Sequence, residues 1–299
     1  MNWRRLLQFC IPVYVLSWSL QIWIIFAYGD PKDPRALPLG LVTMFTPALV
    51  TVGFALFSRE MRARIRWRLS WHAVRPAIVG VVIPILIAFA TVALVEIPGW
   101  GKSQWFDFSS AGVAISAGPW FLGAGTQGWP LFIANVLVTG ACFAALNALA
   151  AVGEELGWRG LLQGILIEEL GMTRGIALLG LIWSFWHLPL LLAGYNYPEH
   201  PVLGALVFFP VQLIAASFFF GWLTIRAGSF WPAALAHGAV NSIQEGISEQ
   251  IGMTVPHIYE DMVRLALTIA VGVFFWWLMQ RKQEMQRGIA FDSQQDSIC

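Results

Sequence analysis

The chain has 299 residues, of which 58% are hydrophobic and 12% charged, with a mean hydropathy of +0.66 and a formal net charge of +1. Soluble domains carry about twice that charged fraction, and no broad basic face is present, so composition excludes a soluble domain and a nucleic-acid partner. A membrane protein fits, and many of the 16 tryptophans stand near the ends of apolar runs, where interfacial aromatics belong.

Spanning helices need about 20 predominantly apolar residues. In chain order this rule marks about eight: 6–28, 37–57, 76–97, 129–153, 174–194, 203–225, 230–248 and 262–280. The start, Met1 to Arg5 followed by an apolar run, superficially resembles a signal peptide. The run reaches about Tyr28, too long for a signal core and without a cleavage site, so it reads as the first span. The almost uncharged segment 98–128 is rich in Gly, Ser and aromatics and reads as a loose outer loop, with a re-entrant or interfacial segment as the alternative. The expected fold is all-α, one integral membrane domain over 1–299. Its motif-bearing core is about 129–250, and a polar tail over 283–299 is expected to fray.

Basic residues orient this arrangement. Arg4, Arg5, the cluster Arg59 to Arg75, Arg159, Arg174, Arg226, Arg281 and Lys282 all fall on one side if eight helices place both termini in the cytoplasm. Cys10 and Cys142 lie in apolar segments, and Cys299 lacks the following residues of a prenylation box, so disulfides, thiolate metal sites and lipidation are not expected.

Ionisable side chains inside apolar runs cost several kcal/mol unless paired or solvated, which makes them functional candidates. Glu154 and Glu155 end the fourth span. Glu155 precedes Arg159 by four residues, the favourable order for a helical ion pair. Glu154 sits about 100° around the helix with Trp158 one turn on, and so is free to act as a base. Asn147 lies on the same face. His187 stands two residues before Pro189, which cannot donate to Phe185, so a kink near the histidine is expected. His237 and Asn241 are one turn apart, and Glu245 and Glu249 continue their stripe. Each feature has a plain alternative: a satisfied core histidine, a bracing ion pair, and solvated acids at Glu168, Glu169, Glu245 and Glu249. Their combination on three helices points to a polar cavity, expected to open to the cytoplasm.

Glu154-Glu155-x-x-x-Arg159, Trp183-x-x-x-His187 and His237-x-x-x-Asn241 together resemble the motifs of the CAAX-protease and bacteriocin-processing family. These are intramembrane glutamic endopeptidases that include the Ras-converting CAAX prenyl endopeptidase. The resemblance covers about residues 150–245. Trp183 replaces the usual Phe and reads as a conservative packing change. The resemblance implies that Glu154 activates a water which His187 also holds, and that His237 and Asn241 donate to the oxyanion. Glu155 and Arg159 would brace the site, and no metal or other cofactor would be needed. The residues alone leave zinc open, since two histidines and a glutamate can hold it, although no His-Glu-x-x-His spacing occurs. Expected partners are membrane lipid and a peptide or membrane-protein substrate, with a prenylated peptide, a leader peptide and a membrane segment as the candidate classes. A transporter, or an immunity or scaffold protein, is the non-enzymatic alternative.

Overall fold

The computed structural model describes the backbone of residues 3–295 and the side chains of residues 4–281. Among the described residues the chain is a single helical bundle with two small sheets at one end. The first half contains α1 (Trp3–Tyr28), α2 (Leu37–Met44), α3 (Thr46–Phe57), α4 (Arg59–Arg64) and α5 (Val74–Glu96). The second half contains α6 (Trp129–Gly157), α7 (Gln163–Leu170), α8 (Met172–Trp186), α9 (Leu188–Leu192), α10 (Pro201–Leu203), α11 (Phe209–Ala227), α12 (Trp231–Ala239), α13 (Glu245–Ser248) and α14 (Ile258–Gln295).

Six helical runs are long and apolar enough to cross a bilayer: Arg4–Tyr28, Pro34–Phe57, Trp71–Glu96, Trp129–Leu170, Pro201–Ala227 and Ile258–Arg281. The other two expected spans, 174–194 and 230–248, are helical but depart from that pattern. Helix α8 stops at Trp186 after 15 residues, a rise of about 22 Å that falls short of a ~30 Å hydrocarbon core. Helix α12 continues through a π-helical turn, Val240–Gln244, into α13, and its polar stripe lowers its hydropathy.

The fourth span also corrects an expectation. It does not end near residue 153: α6, a π-helical turn at Trp158–Leu162 and α7 form one continuous run to Leu170. Arg159 is therefore a fully buried side chain inside a helix rather than a loop cation. The last helix likewise carries its backbone on through the polar segment to Gln295; the expected fraying of 296–299, and Cys299 with it, lies outside the described residues.

Other basic segments gather at one end of the bundle. Arg5 pairs with Glu60 at 2.9 Å, and Arg64 bridges Glu60 and Glu168. The main chain at Arg66 bonds to Gly160 and Phe230, and Trp276 and Gln280 reach Thr173 beside Arg174. The opposite end is closed by Lys32 with Glu249, by Glu199 with the main chain of His257, and by strands.

At that end residues 98–128 are not a loose loop. Strand β1 (Gly101–Ser103) pairs antiparallel with β5 (Ile251–Met253), Gly101 opposite Met253. Strands β2 (Phe106–Phe108), β3 (Gly112–Ile115) and β4 (Gly125–Gly128) form an antiparallel sheet in that order. Phe106, Val113, Ile115 and Trp120 are buried against Val92 and Val95 of α5 and Phe132 of α6. Apolar burial is what organises the segment, and short strands satisfy its main chain.

The site-bearing helices α6 and α12 cross closely because small residues face each other. A Cβ on Gly238 would run into the Ala144 carbonyl and lie 2.6 Å from Ala148 N. Overpacking of this kind costs about 1–3 kcal/mol. Gly238→Ala is thus expected to lower the unfolding midpoint in detergent; an unchanged midpoint would contradict this close crossing.

Candidate active site

The site begins with a charge that must be neutralised. Glu155, Arg159 and Glu154 lie on one stretch of α6 and its π-helical turn, with Glu155 and Arg159 fully buried and Glu154 2% exposed. Arg159 Nη1 donates to Glu155 Oε1 at 3.0 Å, the pair expected from their spacing. His237 Nδ1 meets the same Oε1 at 2.9 Å. An ionised carboxylate only accepts, so Nδ1 must be the donor there. Arg159 Nη2 reaches Ser217 Oγ of α11 at 3.1 Å, and its guanidinium lies 4.1 Å over the Trp183 ring and 5.0 Å over Phe220. One ion pair thereby ties α6 to α8, α11 and α12.

Glu154, one residue away, is treated differently. Its Oε2 accepts from the indole Nε1–H of Trp183 at 2.7 Å. Trp183 is therefore more than a packing substitute for Phe, because phenylalanine has no donor to offer a buried carboxylate.

His187 lies at the break between α8 and α9, where Pro189 removes the donor that would have continued the helix. Its backbone N–H turns to Ser184 O at 3.0 Å. The carbonyl of Trp183, one turn back, instead receives the His187 ring Nδ1 at 2.9 Å. The other carbonyls of this broken end are served by α1: Trp186 O by Gln21 at 2.9 Å and Trp18 at 3.2 Å, and Ile182 O by Tyr14. Ser17 accepts from the Trp186 indole and shares a hydrogen bond with Thr46 at 2.7 Å. A helix can end inside an apolar bundle only when its freed groups find such partners.

Glu154, His187 and His237 are thus brought together around Trp183, whose ring lies 5.4 Å from that of His237 and 6.1 Å from that of His187. Asn241 is not drawn into this cluster. It stands on the π-helical turn Val240–Gln244, exposed, with no hydrogen bond to the other site residues. Such turns re-aim side chains and recur at functional sites. Asn147 points elsewhere, bonding Phe143 O at 3.1 Å and lining a mostly apolar cavity of about 250 Å³ with Trp105, Thr139 and Ser242.

A polar cavity of about 520 Å³ lies at the sheet-bearing end, lined by Glu245, Glu249, Lys32, His200 and Asp261 among others. It continues the stripe of His237 and Asn241 along one helix line. Between it and the site sits Tyr195: burial, then the charges of Glu245, Glu154 and Glu249, hold its phenol above the ordinary range. This cavity, which Arg264 also lines, is at the end away from the basic cluster Arg59 to Arg75, whereas an opening on the side of that cluster was expected. Glu245 and Glu249 line it, and Glu249, exposed as expected, pairs with Lys32 at 2.8 Å. Among the described residues, no group of three or more His, Cys, Asp or Glu side chains is arranged to hold a metal ion.

Two sets of contributors escape the motif pattern. Tyr14, Ser17, Trp18 and Gln21 form a helical stripe in the middle of the largely apolar α1, and that spacing is a readable signal. Ser217 belongs to no polar stripe or motif on α11 and carries no such signal.

Comparison with known proteins meets the same region. Residues 140–243 match the family described as Rce1-like, Type II CAAX prenyl endopeptidase. A stretch of 52 residues is 40% identical to CAAX prenyl protease 2 of Methanococcus maripaludis, covering 17% of this chain and 19% of that protein.

Breaking a buried ion pair by removing one partner typically costs about 3–5 kcal/mol, because the other charge is left unpaired. Arg159→Met alone should lose that much in detergent unfolding, and Glu155→Leu with Arg159→Met should lose less than the sum of the single changes. Strict additivity would show that the pair is not coupled.

Proposed function

We propose, from the match of residues 140–243 to the Rce1-like family, that the chain is an endopeptidase working inside the membrane, with Glu154 as the base that activates water. The observation that carries this reading is the convergence of Glu154, His187 and His237, from three separate helices, on one residue: Glu154 and His237 meet the Trp183 indole and His187 its main-chain carbonyl. Ionisable groups are costly at such a place unless they are used.

The geometry supports a division of labour. Trp183 occupies Glu154 Oε2, which leaves Oε1 for a water. The His187 Nδ1–H is turned to a carbonyl, so the neutral ring offers the lone pair of Nε2 to the same water. Glu154 takes a proton as the water oxygen attacks the peptide carbonyl, and returns it to the leaving amine as the tetrahedral intermediate collapses. His237, its Nδ1–H balanced by Glu155, donates to the oxyanion from Nε2 as an imidazolium. Charges then sum to zero over Glu154, Glu155, Arg159 and His237. Asn241, exposed on its π-helical turn, supplies the second oxyanion donor once substrate is bound.

The substrate is a membrane-associated or hydrophobic peptide. The matched relative's name makes a prenylated CAAX peptide the first class to assay, with membrane lipid as the surrounding partner. By the positive-inside rule the arginine-bearing end, and with it both termini, lies in the cytoplasm of the cell that bears this protein in its membrane.

Glu154→Gln is expected to abolish cleavage of a farnesylated fluorogenic peptide by purified protein that inserts and unfolds like wild type. Turnover by that variant would remove the mechanism. Chelation with EDTA should leave the rate unchanged; a loss restored by added zinc would replace the water-activating glutamate with a metal centre.

A further inference from the structure

Trp183 takes no part in bond making, yet it touches Glu154, His187 and His237. Its indole N–H is the one hydrogen-bond donor to the Glu154 carboxylate among the described residues. Its main-chain carbonyl fixes the His187 ring. Its face carries the Arg159 guanidinium at 4.1 Å, and its edge packs against His237.

We propose that Trp183 is a positioning residue that sets the reactive geometry of Glu154 and, through its carbonyl, of His187. This rests on reading Glu154 as the base. A glutamate side chain turns about three bonds, and a base must be held to within a fraction of an ångström and 10–20° of its productive pose. One strong donor on Oε2 removes that freedom and leaves Oε1 to face the water. The donor is itself held, because Arg159 lies over the ring face at 4.1 Å and over the neighbouring Phe220 ring, which packs 5.8 Å from the indole. A cation over the indole face draws on its π-electrons, which strengthens the N–H as a donor. The same residue fixes which His187 nitrogen carries the proton, since the Trp183 carbonyl can only accept. Base and partner thus take their orientation from one rigid side chain and its own peptide unit.

Packing alone makes a different prediction, and the two can be separated by removing the N–H while keeping the ring. Two changes do this: Trp183→Phe, and incorporation of benzothienylalanine at position 183, in which sulfur replaces the indole N–H with ring shape preserved. Both are assayed in the full-length protein in detergent on the farnesylated fluorogenic peptide. Loss of a hydrogen bond to a charged group predicts a fall in kcat of about 10- to 100-fold, with KM within about threefold of wild type. The unfolding temperature of the benzothienyl protein should be unchanged. A purely packing role predicts full kcat for the benzothienyl protein, and that result overturns the proposal even if the Phe variant fails to fold.

A second readout does not depend on turnover. In protein labelled with heavy nitrogen on its tryptophan indoles, the resonance missing from Trp183→Phe should lie downfield in wild type and move upfield in Glu154→Ala. An unmoved resonance overturns the hydrogen bond itself. If Glu154→Gln is inactive while the benzothienyl protein is fully active, only the role of Trp183 falls. If Glu154→Gln retains turnover, the base reading falls, and the proposal with it.

Discussion

Glu155 and Arg159 are both completely buried in an apolar bundle, and nearly every feature of the site follows from how that pair is neutralised. Charges removed from water survive only when opposite charge and hydrogen-bond donors surround them. Glu155 Oε1 meets this by serving Arg159 and His237 together, and Arg159 by reaching Ser217 and lying over two aromatic faces. Four helices must hold their places for these contacts to exist. The neighbouring Glu154 accepts instead from one neutral donor, the Trp183 indole, and is the acid proposed to react.

The second organising element is a set of departures from regular helix. Helix α8 breaks at His187 because Pro189 cannot continue it, and the break turns an ordinary backbone acceptor, the Trp183 carbonyl, into an anchor for an imidazole. Polar residues of α1 complete the satisfaction of that end. The π-helical turns at Trp158–Leu162 and Val240–Gln244 follow directly on Glu154 and His237, and the second carries Asn241 to an exposed position. Backbone irregularity deep in a membrane protein requires such local compensation, and here the compensation and the site are built from the same residues.

Much of this was legible in the residues, for physical reasons. The Glu155–Arg159 pair follows from helical spacing, and the stop at His187 follows from the chemistry of proline. Hydropathy misplaced the end of the fourth span because it counts Arg159 as a charge, while the folded chain neutralises it by contact. The segment 98–128 looked like a loose loop because its order comes from aromatic burial between distant elements, which local pattern does not encode. Trp183 looked like a space-filling change, since the value of its N–H depends on a carboxylate 29 residues earlier being aimed at it. The pairing of His237 with Glu155, across 82 residues, was likewise a fact of helix crossing alone.

The central claim is that Glu154 activates a water rather than attacking the peptide itself. It is tested most directly by a single turnover in heavy-oxygen water, with enzyme in excess over a farnesylated CAAX peptide and mass analysis of both products and protein. The account predicts one heavy oxygen in the newly formed carboxyl terminus of the cleaved peptide and none in Glu154. An unlabelled first-turnover carboxyl terminus, with heavy oxygen appearing in Glu154, would mean that the glutamate attacks the peptide covalently and would contradict the account.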